Sequence, residues 1–417
     1  QNDYVGGFQQ NLGYFFSNFG PTLTEALAYP SQNTNTALTQ HPYAFLTNAT
    51  LRAAMAPYVA SLGQYQMQVY PDNVKDFFRT GVISNTSLNL SGGNERVGYN
   101  LSVGYNREQG YIPENGLTRL NIGAGIRAQL NKKLSINSSF NFANTDQFTP
   151  PLNAGTGNNT LSGFPSVLAN VLYTPRQVDL MGWPFENPVD GGTVYFRSGN
   201  DIPNPRWILK NYKTTDVVNR FFTTTNLTYD IAKNLVLLYK VGLDTYNENQ
   251  EYKFNKGGVD FVNGFYNTYD IKNTIWDNSL IVSYTRPMGD HFTVSGRLGG
   301  NMRNDKTNST FVSSQNQLAR NLFRHSNFID NVASNGEVEQ TRIGVFGEIT
   351  ADVNDYLYLN LAARNDWTST VEVPNRQIFY PSGSISFVPT SAFSGLQGSK
   401  LLSFLKLRAG IGTSAGF

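Results

Sequence analysis

The sequence predicts an all-β fold, an antiparallel transmembrane β-barrel wall of about 12 strands. Three observations carry this reading. The first is strict alternation. Val97, Tyr99, Leu101, Val103 and Tyr105 are apolar, and Gly98, Asn100, Ser102, Gly104 and Asn106 between them are small or polar. Leu120, Ile122, Ala124, Ile126, Ala128 and Leu130 alternate in the same way with Asn121, Gly123, Gly125, Arg127 and Gln129. Successive strand side chains point to opposite faces, so each strand has one apolar and one wet face. The second is length: each run reaches the roughly 10 residues that a tilted strand needs to cross a bilayer. The third is that the connections sort by parity into short and long. Outer-membrane barrels have short turns on one side and long loops on the other, and a soluble sandwich has no reason to sort them.

In chain order, residues 1–80 alternate poorly and read as an extracellular loop region. Leu51 to Leu62 is Ala-rich and predicts a short helix ending at Gly63. Pro30, Asn33, Asn35 and Pro42 mark irregular backbone. Residues 81–417 read as barrel. The strands are expected at roughly 82–92, 96–109, 117–130, 134–145, 217–230, 234–248, 274–286, 291–304, 339–353, 356–367, 377–388 and 404–414. Short connections include Gly92-Gly93-Asn94-Glu95, Asn131-Lys132-Lys133 and Asn354-Asp355. The long ones, 146–216, 249–273 and 305–338, are expected on one extracellular side. Within the first, residues 163–174 predict a short helix before Pro175. Pro389 to Ser403 breaks the parity, falling on the short side yet being long. The strand 234–248 is mixed, because Val236 and Leu238 face the same way as Lys240. Residues placed so near the inner end are expected to pack on something inside the barrel.

The composition fits. Of 417 residues, 40% are hydrophobic and 13% aromatic, with 23 Tyr and 28 Phe to supply interfacial girdles. The mean hydropathy of −0.34 and the lack of an 18-residue apolar run leave no transmembrane helix, which a barrel does not need. A net charge of +2 gives no bulk attraction for nucleic acid. With Cys 0, disulfides and thiolate metal sites are excluded.

Several segments carry a family resemblance. Ser87-Leu88-Asn89-Leu90-Ser91-Gly92-Gly93-Asn94-Glu95 resembles the "LSxSGGxE" hairpin of SusC-like (SusC/RagA) TonB-dependent outer-membrane transporters. Val103-Gly104-Tyr105 leading to Gln109-Gly110 is similar as well. Asn365-Asp366-Trp367-Thr368-Ser369-Thr370, followed by Phe379-Tyr380-Pro381-Ser382, resembles the "RxDWSST" segment. Leu405-Lys406-Leu407-Arg408-Ala409-Gly410 resembles the "LKLRxxyG" strand, and Asn204-Pro205 with Asp216 to Arg220 resembles the "NP…nR" region. The resemblance covers residues 80–417. It implies a barrel of 22 strands plugged by an N-terminal domain, localisation in the outer membrane, and active uptake of oligosaccharides, glycans or peptides driven by the TonB complex. It also implies a SusD-like surface lipoprotein acting as a lid. No plug domain and no TonB box are readable in these residues, and about half the strands are. The chain is therefore expected to be the middle of a longer protein, whose sheet does not close on itself here. A passive porin or structural barrel, and a soluble all-β carbohydrate-binding protein, are the alternative readings.

Candidate site residues follow from the faces. Tyr99, Leu101, Val103, Ile122, Ala124 and Ile126 are expected to face lipid, and Asn100, Ser102, Gly123, Gly125 and Arg127 the lumen. A lipid-facing Arg127 would cost about 2–4 kcal/mol near the midplane. Asn100, Asn106, Arg127, Arg297, Arg303, Arg364 and Asp366 are the candidate lumen or plug contacts. Trp367, ending a strand at the outer side, suits a girdle or a substrate contact. Trp183, Phe185, Tyr195, Phe196 and Trp207 lie in the longest loop, and Phe261, Phe265, Tyr266 and Tyr269 in another. Such rings stack on sugars and apolar side chains, or pack the loops together. Trp183, Phe185, Tyr195, Trp207, Phe265 and Tyr266 are the candidate substrate or lid contacts. Gly296 to Gly300 lies inside an alternating strand and reads as barrel curvature, not as a phosphate loop. His41, His291 and His325 are far apart in sequence, so no catalytic, metal or cofactor site is expected.

Overall fold

A computed structural model describes residues 4–8, 11–12, 20–28, 37–152, 166–396 and 401–414. Twelve strands form one antiparallel sheet in chain order. They are β1 (Val82–Gly93), β2 (Val97–Gln109), β3 (Gly116–Gln129), β4 (Leu134–Thr149), β5 (Tyr212–Ala232) and β6 (Leu235–Phe254). Then come β7 (Phe265–Pro287), β8 (Phe292–Gln317), β9 (Phe328–Val353), β10 (Leu357–Thr368), β11 (Gln377–Phe387) and β12 (Leu407–Gly412). Each strand pairs with its sequence neighbour, and among the described residues β1 and β12 stay unpaired at opposite edges. The sheet is an open wall, as expected of part of a barrel.

The register separates the faces. Tyr99 lies opposite Ile126, Leu101 opposite Ala124 and Val103 opposite Ile122. Asn100 meets Gly125, Ser102 meets Gly123 and Gly98 meets Arg127. Directly opposed residues share a face. The apolar set therefore continues across the wall through Phe142, Phe221, Leu243, Trp276 and on to Leu298, Ile349 and Leu361. Many of these side chains are open to the surroundings, Leu298 at 64% and Leu361 at 56%. A continuous apolar surface of this extent requires lipid or a partner to cover it. Along β7 the belt runs from Tyr284 to Trp276, about 26 Å of strand. At a tilt of about 40° that gives roughly 20 Å of height, near the apolar band of an outer-membrane barrel. Trp276 and Trp367 sit at its outer limit, where Asn304 and Thr341, level with Trp276, and Thr274 beyond it take over the same face. Asn278 in mid-belt is satisfied by the Tyr239 hydroxyl, which donates to its Oδ1 at 3.1 Å, and Asn365, between Ala363 and Trp367 on the same face, accepts from Gln377 at 3.1 Å.

The central strands are longer than expected. Residues 249–254, 265–273, 305–317 and 328–338 were assigned to loops by their sequence, and all belong to β6, β7, β8 and β9. The connections shrink to 255–264 and 318–327. Beyond the bilayer both faces of a strand are wet, so the apolar alternation stops while the ladder continues. The fourth strand runs to Thr149 and the fifth starts at Tyr212 for the same reason, while β12 is shorter than expected.

The Ala-rich segment forms helix α2 (Ala49–Ser61), after the short helix α1 (Leu23–Ala28). Asn48 caps α2 by accepting from the Leu51 N–H, and Gly63 supplies the positive φ of 63° beyond its end. The helix expected over 163–174 is α3 (Val167–Leu172), capped by Ser166; residues 163–165 lie outside the described ones. A helix not foreseen, α4 (Pro205–Asn211), begins with Asn204 as cap and Pro205 in the first turn, and runs straight into β5. The long connection on the short side contains α5 (Pro389–Ala392).

Candidate lumenal wall and loop dome

The polar face of β5 to β11 carries charges that pair with one another. Arg220 on β5 donates from Nε to Asp244 on β6 at 2.8 Å. On β8, Arg303 grips Asp305 with two hydrogen bonds, 2.9 and 3.1 Å. Arg303 stands directly opposite Arg342 of β9 and Asp277 of β7. Two arginines opposite each other repel; Asp305 relieves this by also accepting from Arg342 at 3.3 Å. On β10, Arg364 donates to Asp366 at 2.8 Å, to the Tyr380 hydroxyl at 3.2 Å and to Asn301 at 2.7 Å. Asp366 is buried. Arg297 lies 3.8 Å from Glu348, which accepts from Asn360 at 2.6 Å. Of the sequence candidates, the structure brings Arg303, Arg364 and Asp366 into paired clusters. Arg220, Asp244, Asp277, Asp305, Arg342 and Glu348 were missed. Their only signal was a charge at a wet position of an alternating strand.

Gly344 makes room for the Arg364 cluster. A Cβ there would collide with Arg364 Nη2 and Asp366 Oδ1, and would lie 2.7 Å from Asn301 Oδ1. Gly344→Val is expected to break the cluster and destabilise the wall by about 1–3 kcal/mol, read as a lower urea midpoint for the protein in lipid vesicles.

The wall at β1 to β4 differs. It is recessed by about 320 Å³, lined by Gly98, Asn100, Ser102, Gly123, Gly125, Arg127, Asn137, Ser139 and Asn141. A Cβ at Gly123 would stand 2.6 Å from Ser102 Oγ, so glycine keeps the recess deep. Arg127 is exposed and, among the described residues, makes no ion pair. Asn106 donates to Asn85 at 2.6 Å while its own Oδ1 is buried without a partner. Towards the inner end, Leu238 lies opposite Ile281 and forms an apolar patch on the lumenal face. The lumenal wall thus combines self-paired charge, an amide oxygen without a partner among the described residues, and a recess.

The loop aromatics do something other than offer free ring faces. Trp183, Tyr195, Trp207 and Tyr266 are buried, and Phe185 and Phe265 are half-buried. Except for Tyr266, they belong to one core with Tyr43, Leu46, Leu51, Met55, Phe77, Val167, Val171, Phe196, Tyr212 and Phe254. The correction has a plain cause. A connection of this length has many backbone groups and apolar rings to satisfy, and it folds on the region before β1 to do so. Trp207 Nε1 donates to the Gly191 carbonyl at 2.9 Å, and Tyr43 to the Pro184 carbonyl at 2.6 Å. Asn73 donates to the carbonyls of Pro175 and Val178. Arg206 places its guanidinium 4.3 Å above the Phe185 ring and donates to the Trp183 carbonyl at 3.0 Å. Tyr212 stacks on Phe254 at 4.4 Å. Tyr212, Phe254 and Phe265 lie on the lumenal parity of their strands. The dome therefore packs on the inner side of the extended wall and leans over the mouth. Tyr266 is on the other parity, stacked on His325 at 4.6 Å and donating to Glu251 at 2.7 Å. Tyr269 stacks on Phe311 at 4.4 Å on the lumenal side.

The three histidines stay apart. His291 bonds Asn354, and His325 bonds Thr268 and Ser314. His41 is buried between Trp183, Tyr43, Tyr65 and Tyr58, with ring centroids 4.3–5.5 Å away. Its Nδ1 accepts from the Tyr43 N–H at 3.2 Å, and its Nε2 has no hydrogen-bond partner among the described residues. Desolvation lowers its pKa from 6.5 to about 4. The sign follows from this depression. Above pH 6.5 the imidazole is neutral whether the dome is folded or not. Between 6.5 and 4 the unfolded segment binds a proton that the folded dome refuses, so dome stability falls as pH falls through that window. Protease resistance of the dome is expected to drop from pH 7.5 to pH 5, and His41→Phe to flatten that profile.

No protein-family model matches the chain, and neither does any curated protein. Among solved structures, the chain is similar to the RagAB peptide transporter, with a TM-score of 0.68 and 16% identity, over 93% of this chain and 40% of that one. The RagAB peptide importer in its "closed-closed" state gives 0.71 at 17% identity, over 92% and 42%. The "open-open" state gives 0.66 at 18%, over 82% and 37%. The fold is that of these transporter barrels, and the chain spans about two-fifths of their length.

Proposed function

We propose that this chain is wall and outer dome of a SusC-like, TonB-dependent outer-membrane importer. The observation that carries the reading is the two-faced wall: an apolar belt outside, paired charges inside, and a folded dome over the mouth on the lumenal side. Buried and half-buried charges inside a barrel need wet or charged partners. The self-paired clusters, the buried Asn106 Oδ1 of β2 that no described residue satisfies and the recess nearby suit the surface of a folded plug. An open porin would need a clear mouth, and the dome leans across it. The substrate class is an oligosaccharide or a peptide; the peptide case is favoured by the names of the RagAB structures. A SusD-like surface lipoprotein is the partner at the dome, and the TonB complex drives the cycle.

The test is uptake of labelled oligosaccharide and peptide mixtures by cells carrying the full-length protein. Uptake should stop when a protonophore collapses the proton-motive force. Uptake that follows the outside concentration and ignores the protonophore would make this a passive pore.

A further inference from the structure

We propose that residues 329–339 of β9 are a docking edge, to which an extended, basic segment of the surface lipoprotein adds as a further strand. The inference rests on the importer reading for the identity of the partner, but its geometry comes from this wall alone. β9 pairs with β8 as far as Phe328, opposite Gln317. On its other side, pairing with β10 begins only at Arg342, opposite Thr368. The chain then turns back through 369–376 into β11. Among the described residues, the outer part of β9 therefore has a strand on one side and none on the other. Barrel closure would use the free sides of β1 and β12, so it would leave this edge open.

The direction of the free groups can be read from Thr341. Its carbonyl accepts from the Ser369 N–H at 2.9 Å, and its N–H donates to Ser369 Oγ at 2.9 Å. Both main-chain groups of Thr341 thus point to the β10 side. The register from there to Asp330 is unbroken, and main-chain groups repeat every second residue. Glu339, Glu337, Asn335, Ala333 and Asn331 therefore aim N–H and C=O at the open side. Every residue from 329 to 339 is exposed. Natural edges are blunted by charges, lysine above all, by proline or by a bulge; this stretch has no lysine, no proline and no register shift, and its charges, Asp330, Glu337 and Glu339, are all acidic.

The side chains say what fits. Glu337 and Glu339 stand on one face, around Lys306 of β8 at 2.9 and 3.8 Å. Val332 and Val338 are on the other, 66% and 68% exposed. Asp330, on the valine face, accepts from Asn316. An added strand with Lys or Arg towards the glutamates and apolar residues towards the valines matches both faces, which is strand addition at a sheet edge. A ladder of this length, made through main-chain groups, suits a lasting partner better than a cargo that must be released.

The test uses the full-length protein co-expressed with its lipoprotein. Ala333→Pro and Asn335→Pro each delete an N–H on the open side only, because the β8 ladder uses the even-numbered residues. Proline is tolerated at such edge positions. Co-purification of the lipoprotein should fall about tenfold or more, while the heat-dependent gel shift of a folded barrel remains. Ala333→Cys places a thiol at this edge, and the lipoprotein should slow its reaction with a maleimide, read against the parent protein as background. That labelling decides the matter should a proline variant fail to fold. Wild-type co-purification of folded proline variants, or unchanged labelling, would overturn the docking edge. Either result alongside protonophore-sensitive uptake would leave the importer reading standing. A wild-type protein that retains no lipoprotein would overturn the edge and the lid together.

Discussion

Trp207→Ala is expected to destabilise the loop dome by about 3–5 kcal/mol while the barrel wall stays folded. The indole is fully buried where α4 enters β5. It packs edge-on against Tyr212 at 5.1 Å, and its N–H satisfies the Gly191 carbonyl. Alanine removes the ring, leaves a cavity and orphans a carbonyl. The described dome is joined by short pairings such as the single bridge between Glu186 and Thr193, whereas each wall strand is held by a long ladder. Limited proteolysis should cut within 166–211 at far lower protease in the variant. The heat-dependent gel shift that reports the barrel should be unchanged. Loss of both together would mean that dome and wall fold as one unit.

The second large effect separates the two faces of one strand. Ile122 is on the belt, opposite Val103 and Phe142. Ile122→Arg should cost about 2–4 kcal/mol, the price of an arginine near the bilayer midplane. Its neighbour Asn121 points into the lumen, where Gly104 and Ala143 leave room. Asn121→Arg should change stability by less than about 1 kcal/mol, as substitutions away from packed contacts do. Urea titration of both variants folding into lipid vesicles would measure the difference. Equal costs would mean that the faces are assigned wrongly.

Membrane-spanning parts of the wall were legible because the bilayer writes a period of two into them. Val97 to Tyr105 and Leu120 to Ala128 pair with their apolar sets on one face, as the alternation implies. The extensions of β7, β8 and β9 were not legible. Residues such as Asn267, Thr268, Ser313 and Ser314 are polar on both faces, and only hydrogen bonding to a neighbour makes them strand. The same holds for the site. Arg364 and Asp366 could be paired from their spacing, since residues two apart on a strand share a face. Arg220 with Asp244, and Asp305 with Arg342, needed the register between strands. The dome was the least legible part. Contacts such as Tyr43 with Pro184 join positions 141 apart in sequence, and no local pattern announces them. Rings that looked available for ligand are instead the core that long connections require.

The central claim is that this wall surrounds a lumen closed by folded protein. The direct measurement is the conductance of the full-length protein in a planar lipid bilayer. A filled lumen under an inward-leaning dome predicts almost no current at modest voltage, with openings appearing only after urea loosens the interior. A large, constant conductance from the moment of insertion would show an open pore and contradict the account.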